Sequence, residues 1–89
     1  MMRIELDESS NTITMRIQGR FVGKFAEDAK GLIAHCKKLP KLVVNLSEVS
    51  FVDLTGEEVL SWFGRLGGEF VAENSYSLHV CERLHLTLI

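Results

Sequence analysis

Residues 41–58 read KLVVNLSEVSFVDLTGEE, and this stretch decides the fold. Its first part, residues 41–46, is a compact apolar run rich in β-branched side chains, which predicts an interior strand parallel to an earlier one. A run this continuous tolerates helices on both faces of the sheet, with Val43 largely buried. Residues 47–52 then lead into Asp53-Leu54-Thr55-Gly56-Glu57-Glu58, where side chains suited to an N-cap precede first-turn acids. Val59, Leu60, Phe63 and Leu66 supply the apolar stripe of the helix that follows, and Gly67-Gly68 stops it.

Upstream of this stretch, residues 3–7 read as a strand and residues 7–11 as a polar turn. In residues 12–17, Ile13, Met15 and Ile17 alternate with polar residues, which completes a hairpin with one buried face. Phe25, Ala29, Leu32, Ile33, Cys36 and Leu39 then recur at helical spacing and predict a helix over residues 24–38, ended by Leu39-Pro40. Downstream, residues 69–73 form a short strand, and Asn74-Ser75 cap a last helix with Leu78, Cys81 and Leu84 inward. A competing reading of the tail pairs the alternation of Tyr76, Leu78 and Val80 with that of Leu84, Leu86 and Leu88 as a hairpin. The favoured order, strand, strand, helix, strand, helix, strand, helix, is an α/β sandwich with right-handed crossovers: a mixed four-stranded sheet with helices packed on it.

The chain has 89 residues, which predicts one domain over residues 1–89. Ten Lys and Arg against twelve Asp and Glu leave a net charge of −2, without the basic field that nucleic-acid binding draws on. No apolar run is long enough to cross a bilayer. With two cysteines, Cys36 and Cys81, and no apolar leader stretch, the expectation is a cytoplasmic protein with free thiols and no membrane contact.

Several residues invite a chemical reading. His35 and Cys36 are adjacent on a helix and point about 100° apart, so they do not share an ion readily. His79, Cys81 and His85 lack metal-motif spacing, and no metal or cofactor is expected. Gly19 and Gly23 flank a strand-to-helix turn without the Gly-Lys-Ser/Thr ending of a P-loop, so a tight turn with positive φ is expected there. Nor does any nucleophile-elbow spacing support a catalytic set, and no enzyme activity is expected. Asp53, Thr55 and Glu58 gather at a helix N-terminus, where anions are favoured. The structural alternative is a capping box with Thr55 as N-cap and Glu58 at N3.

Gly19-Arg20-Phe21 before the first helix, residues 42–53 (LVVNLSEVSFVD), Thr55-Gly56 opening the second helix and Gly67-Gly68 before the next strand together resemble the STAS domain, the family that includes the bacterial anti-sigma-factor antagonists. The similarity covers residues 4–86 and is most specific over residues 43–56. It implies a regulatory module that docks on a partner protein, such as an anti-sigma factor with serine-kinase activity, and is switched by phosphorylation. In the family the acceptor hydroxyl directly follows the aspartate. Here that position is Leu54, which has no hydroxyl, and Thr55, at the position of the pattern's second Ser, is the remaining candidate acceptor. The family usually continues into another strand and helix, which implies a shortened C-terminus here.

The resemblance and the helix N-terminus together point to a partner-binding surface of Asp53, Leu54, Thr55, Gly56 and Glu57, with Trp62 at its edge. Two alternatives stay open. A module for a small anionic or apolar ligand would show a pocket lined by Phe21, Phe25 and Trp62, and a structural subunit of a signalling assembly would show a self-complementary apolar patch. The oligomeric state is not legible in the sequence.

Overall fold

A computed structural model describes residues 2–36 and 41–89. Its elements in chain order are β1 (Met2–Ser9), β2 (Thr12–Phe21), α1 (Gly23–Ala34), β3 (Lys41–Val52), α2 (Leu54–Arg65), β4 (Glu69–Val71) and α3 (Ser75–Arg83). The turn of the first hairpin is tighter than the polar run suggests. Ser9 faces Thr12, and Ser10 and Asn11 take φ of 40° and 68°, the two left-handed residues of a type I′ turn.

The sheet order is β1-β2-β3-β4, antiparallel between β1 and β2 and parallel thereafter. Both parallel crossovers step the same way across the sheet, so right-handed connections bring α1 and α2 to one face, where they pack on each other. The third helix joins them there and packs on β3. Buried Ile13, Met15, Ile17, Leu42, Val44, Leu46 and Phe70 line the covered face. The other face is wet, and this corrects the expectation of helices on both sides. Val43 is half-buried, and its neighbours on that face are polar. A ladder of charge runs across it: Arg16 reaches Glu5 at 2.9 Å and Glu48 at 3.6 Å, and Lys41 reaches Glu69 at 2.9 Å.

The central strand is twice the length read from the sequence. Its pairing with β2 slips between Arg16 and Gln18 and again between Gly19 and Arg20, each time with an extra residue in β3. The buried positions therefore run 42, 44, 46 and then 49 and 52. Two bulges replace the period of two by a period of three, which is why residues 47–52 do not look like strand.

Three helix faces also differ from expectation. The first helix buries Ala26, Ala29 and Ile33, leaving Phe25 and Leu32 outside. Two stripes overlap at Ala29, and the one carrying two alanines lets the helix axis approach its neighbours closely. This helix ends at Ala34 with His35 as C-cap, short of the expected end, and the Leu39-Pro40 stop lies outside the described residues. In α2 the stripe Val59, Leu60, Phe63 is buried, whereas Leu66 has passed into the C-cap and is exposed. In α3 the inward residues are Ser77, Val80 and Cys81, with Leu84 half-buried and Leu78 exposed. Ser77 tolerates burial because its hydroxyl bonds the Asn74 carbonyl at 3.2 Å. The tail hairpin is excluded by α3 itself. Residues beyond it return along β4, where Phe70 N donates to Thr87 O at 2.8 Å and Ile89 N donates to Phe70 O at 2.9 Å.

Candidate functional site

The interior strand β3 ends at Val52, buried on the covered face, and the chain turns there into the first turn of α2. Asp53 is the N-cap. Its Oδ1 accepts from Gly56 N at 2.8 Å, and its Oδ2 accepts from Gly23 N at 3.1 Å. One carboxylate therefore ties the starts of α1 and α2 together, with both oxygens committed to backbone donors. The capping box expected at Thr55 and Glu58 does not form, because Asp53 stands in front of the helix and takes the capping role. Gly19 and Gly23 have φ of 89° and 48°, the positive values expected of the turn.

Gly56 is a spacer beneath the surface rather than part of it. A Cβ built on Gly56 would stand 2.2 Å from the carbonyl oxygen of Phe21 and 2.8 Å from Val52 Cγ1. Only glycine lets α2 begin this close to the end of β2. Leu54, in contrast, is 73% exposed. It stands at the head of an open groove of about 280 Å³ lined also by Glu57, Glu58, Ser61, Arg65 and Leu84.

Glu57 is engaged within the fold. Its carboxylate accepts a hydrogen bond from Arg83 of α3, and that bond holds Glu57 below the usual carboxylate range. The Glu57 charge stays ionised and is offset by Arg83, and the first turn of α2 presents an apolar knob, Leu54. On the other flank Thr55 is half-buried in a second groove of about 260 Å³ between α1 and α2, with Glu27, Lys30, Glu58, Trp62 and Arg65 among its walls. Trp62 is half-buried, its ring 5.1 Å from Lys30 Nζ. Phe21 is fully buried and Phe25 lies outside, so the three aromatics do not form a common pocket.

Sequence reasoning placed Asn74 at the start of the last helix but passed over the long-range bonds that hold this end of the sheet in place. Tyr76 accepts from Val52 N at 2.8 Å through its hydroxyl, bonding the last backbone donor of β3. Asn74 caps α3 by accepting from Ser77 N at 2.7 Å, while its amide donates to the Ser47 carbonyl. Arg83 secures Glu57. Each bond spans about two dozen residues of chain, and no local pattern announces it. The histidines and cysteines do not converge: among the described residues no three His, Cys, Asp or Glu side chains form a cluster suited to a metal ion. Cys81 is buried, which pushes its thiol up to about 11, and both cysteines are free. Among the described residues no helix is long and apolar enough to cross a membrane.

A mixed four-stranded sheet with three helices, the second capped by an aspartate at the end of the central strand, is a STAS-like α/β fold. Solved structures of the anti-sigma-factor antagonists share it. An anti-sigma factor antagonist from Mycobacterium paratuberculosis matches with a TM-score of 0.81 and 18% identity, over 99% of this chain and 85% of its own. The anti-sigma factor antagonist SpoIIAA in its unphosphorylated form matches with a TM-score of 0.75 and 14% identity, over 98% of this chain and 87% of its own. An uncharacterized protein from Shewanella loihica with a SpoIIAA-like fold matches at 0.63 and 8% identity, over 99% of this chain and 84% of its own. At these identities the likeness is one of fold. No family model matches the sequence, and no curated protein does.

Proposed function

We propose that this chain is a non-enzymatic, cytoplasmic regulatory module that docks on a partner protein, such as an anti-sigma factor of the serine-kinase type, through the first turn of α2. Leu54 carries the reading. A large apolar side chain stands 73% exposed on a rigid helix start, in the place where the resembled family carries its acceptor hydroxyl. Asp53 and Gly56 shape the turn, Leu54 makes the contact, Thr55 and Glu57 flank it, and Trp62 forms the far edge. The contact is apolar and lacks the phosphorylation switch at residue 54, so binding follows partner abundance instead of phosphorylation state. Thr55 is a poor substitute acceptor because it is half-buried between α1 and α2.

The test is titration of the purified protein with a kinase-type anti-sigma factor from the same genome, with and without Leu54→Glu. An exposed position keeps the stability change within about 1 kcal/mol. Loss of the apolar contact weakens binding at least about tenfold, or ~1.4 kcal/mol. Unchanged affinity of Leu54→Glu, or absence of binding by the unaltered protein, would overturn the proposal.

A further inference from the structure

Among the described residues nothing pairs with the outer edge of β1. The type I′ turn determines which backbone groups stand free there. In a two-residue hairpin the flanking pair, Ser9 and Thr12, is hydrogen-bonded, and such pairs alternate along the ladder. Arg3, Glu5 and Asp7 therefore bond to β2, and the N–H and C=O groups of Met2, Ile4 and Leu6 are directed to the open edge.

The side chains of this edge are complementary to themselves. Antiparallel pairing about Ile4 sets Met2 opposite Leu6 and Ile4 opposite Ile4 on the covered side, giving an entirely apolar row. On the wet side it sets Arg3 opposite Glu5 twice. Next to this edge the monomer leaves apolar surface uncovered. Leu6, opposite buried Met15, is 46% exposed, and Phe25 and Leu32 of α1 are 47% and 46% exposed. Phe25 and Leu32 are seven residues apart and share a flank of α1. Lys30, on the opposite flank, sits over Trp62 of α2, so the Phe25–Leu32 flank is turned away from α2 and toward β1.

We propose that β1 is a self-association edge: two copies of this chain pair their β1 strands antiparallel about Ile4, joining their sheets into one and covering Leu6, Phe25 and Leu32 with the same residues of the second copy. Arg3 and Glu5, which pair with each other at 3.2 Å within the chain, each meet a second complement at the symmetry-related position, so a second copy extends the charge row while matching the apolar row on the other side. The first turn of α2 lies on the β3 and β4 side and stays accessible in the pair.

Sedimentation equilibrium of the full chain tests this. The unaltered protein is expected to reach twice the 10.0 kDa chain mass as concentration rises. Arg3→Glu and Glu5→Arg each place like charges opposite one another and should weaken the dimer at least about tenfold. An equimolar mixture of the two variants restores the complementary pairs and the doubled mass. Leu6→Lys, exposed in the monomer, should also give the single-chain mass and covers the case in which Glu5→Arg folds poorly beside Arg16. Amide exchange at Ile4 and Leu6 should slow with concentration. A single-chain mass at millimolar concentration, a dimer that survives both Arg3→Glu and Leu6→Lys, or a mixture of folded charge variants that stays monomeric would overturn the proposal.

Discussion

Replacing Gly56 by alanine puts the close approach of α2 to the sheet to the test. The added methyl would stand 2.2 Å from the Phe21 carbonyl oxygen and 2.8 Å from Val52 Cγ1. The first obstacle is backbone, so relief requires the helix start to move outward by about 1 Å, since ordinary contacts lie near 3.5 Å. Overpacking of this kind costs typically about 1–3 kcal/mol. Alanine returns at most about 1 kcal/mol through its helix propensity. With backbone as the obstacle the cost lies at the upper end, and the net loss is about 2 kcal/mol, or ~8–16 °C in Tm for a domain of this size. Gly31→Ala is the internal control, because its Cβ would meet nothing within 4 Å. That change in α1 should raise stability by up to about 1 kcal/mol. Thermal and urea denaturation of both variants read the contrast directly. Should Gly56→Ala melt at or above the unaltered protein, or should both variants shift in the same direction, the close packing of α2 on β2 is wrong.

Asp53→Ala removes the cap of α2 and the acceptor of Gly23 N together and should cost about 2 kcal/mol in urea denaturation. On the proposed function, Leu54→Ser places a hydroxyl directly after the aspartate, and intact-mass analysis after incubation with a kinase-type anti-sigma factor and ATP should show one added phosphate, absent in the unaltered chain. Glu57 titrates below its ordinary value in the fold because Arg83 hydrogen-bonds its charged form. A lowered folded pKa means that this stabilisation is complete above the unfolded value of 4.5 and is lost as pH falls through the folded one, so Glu57→Gln should flatten the acid limb of the stability curve below pH 4.5. Cys81 is buried with its thiol raised to about 11, while Cys36 is half-exposed. At pH 7 a thiol reagent should therefore modify Cys36 alone, and Cys81 only in denaturant.

Much of this molecule is readable from residue order, because its signals are local. The alternation of Ile13, Met15 and Ile17 produces a strand with one buried face, and capping side chains ahead of the Val59, Leu60, Phe63 stripe announce a capped helix, although the cap is Asp53 and not the expected Thr55. Gly67-Gly68 and Asn74 punctuate the chain where the elements stop and start. The STAS-like fold follows from that order together with the handedness of the crossovers. Tertiary structure alone decided the rest. Which of two overlapping stripes of α1 turns inward depends on how closely an alanine face approaches its neighbours, a property of the partner surface that spacing along the helix does not contain. The extension of β3 to Val52 depends on bulges that exist only in its pairing with β2. At the candidate site, Asp53 and Leu54 were visible as types in a pattern. That Glu57 is already taken by Arg83, that Gly56 lies beneath the Phe21 carbonyl, and that Tyr76 bonds Val52 are matters of contact between segments distant in sequence. Hydrogen bonds and close approaches between such segments are set by where the sheet brings them, so no local run of residues encodes them.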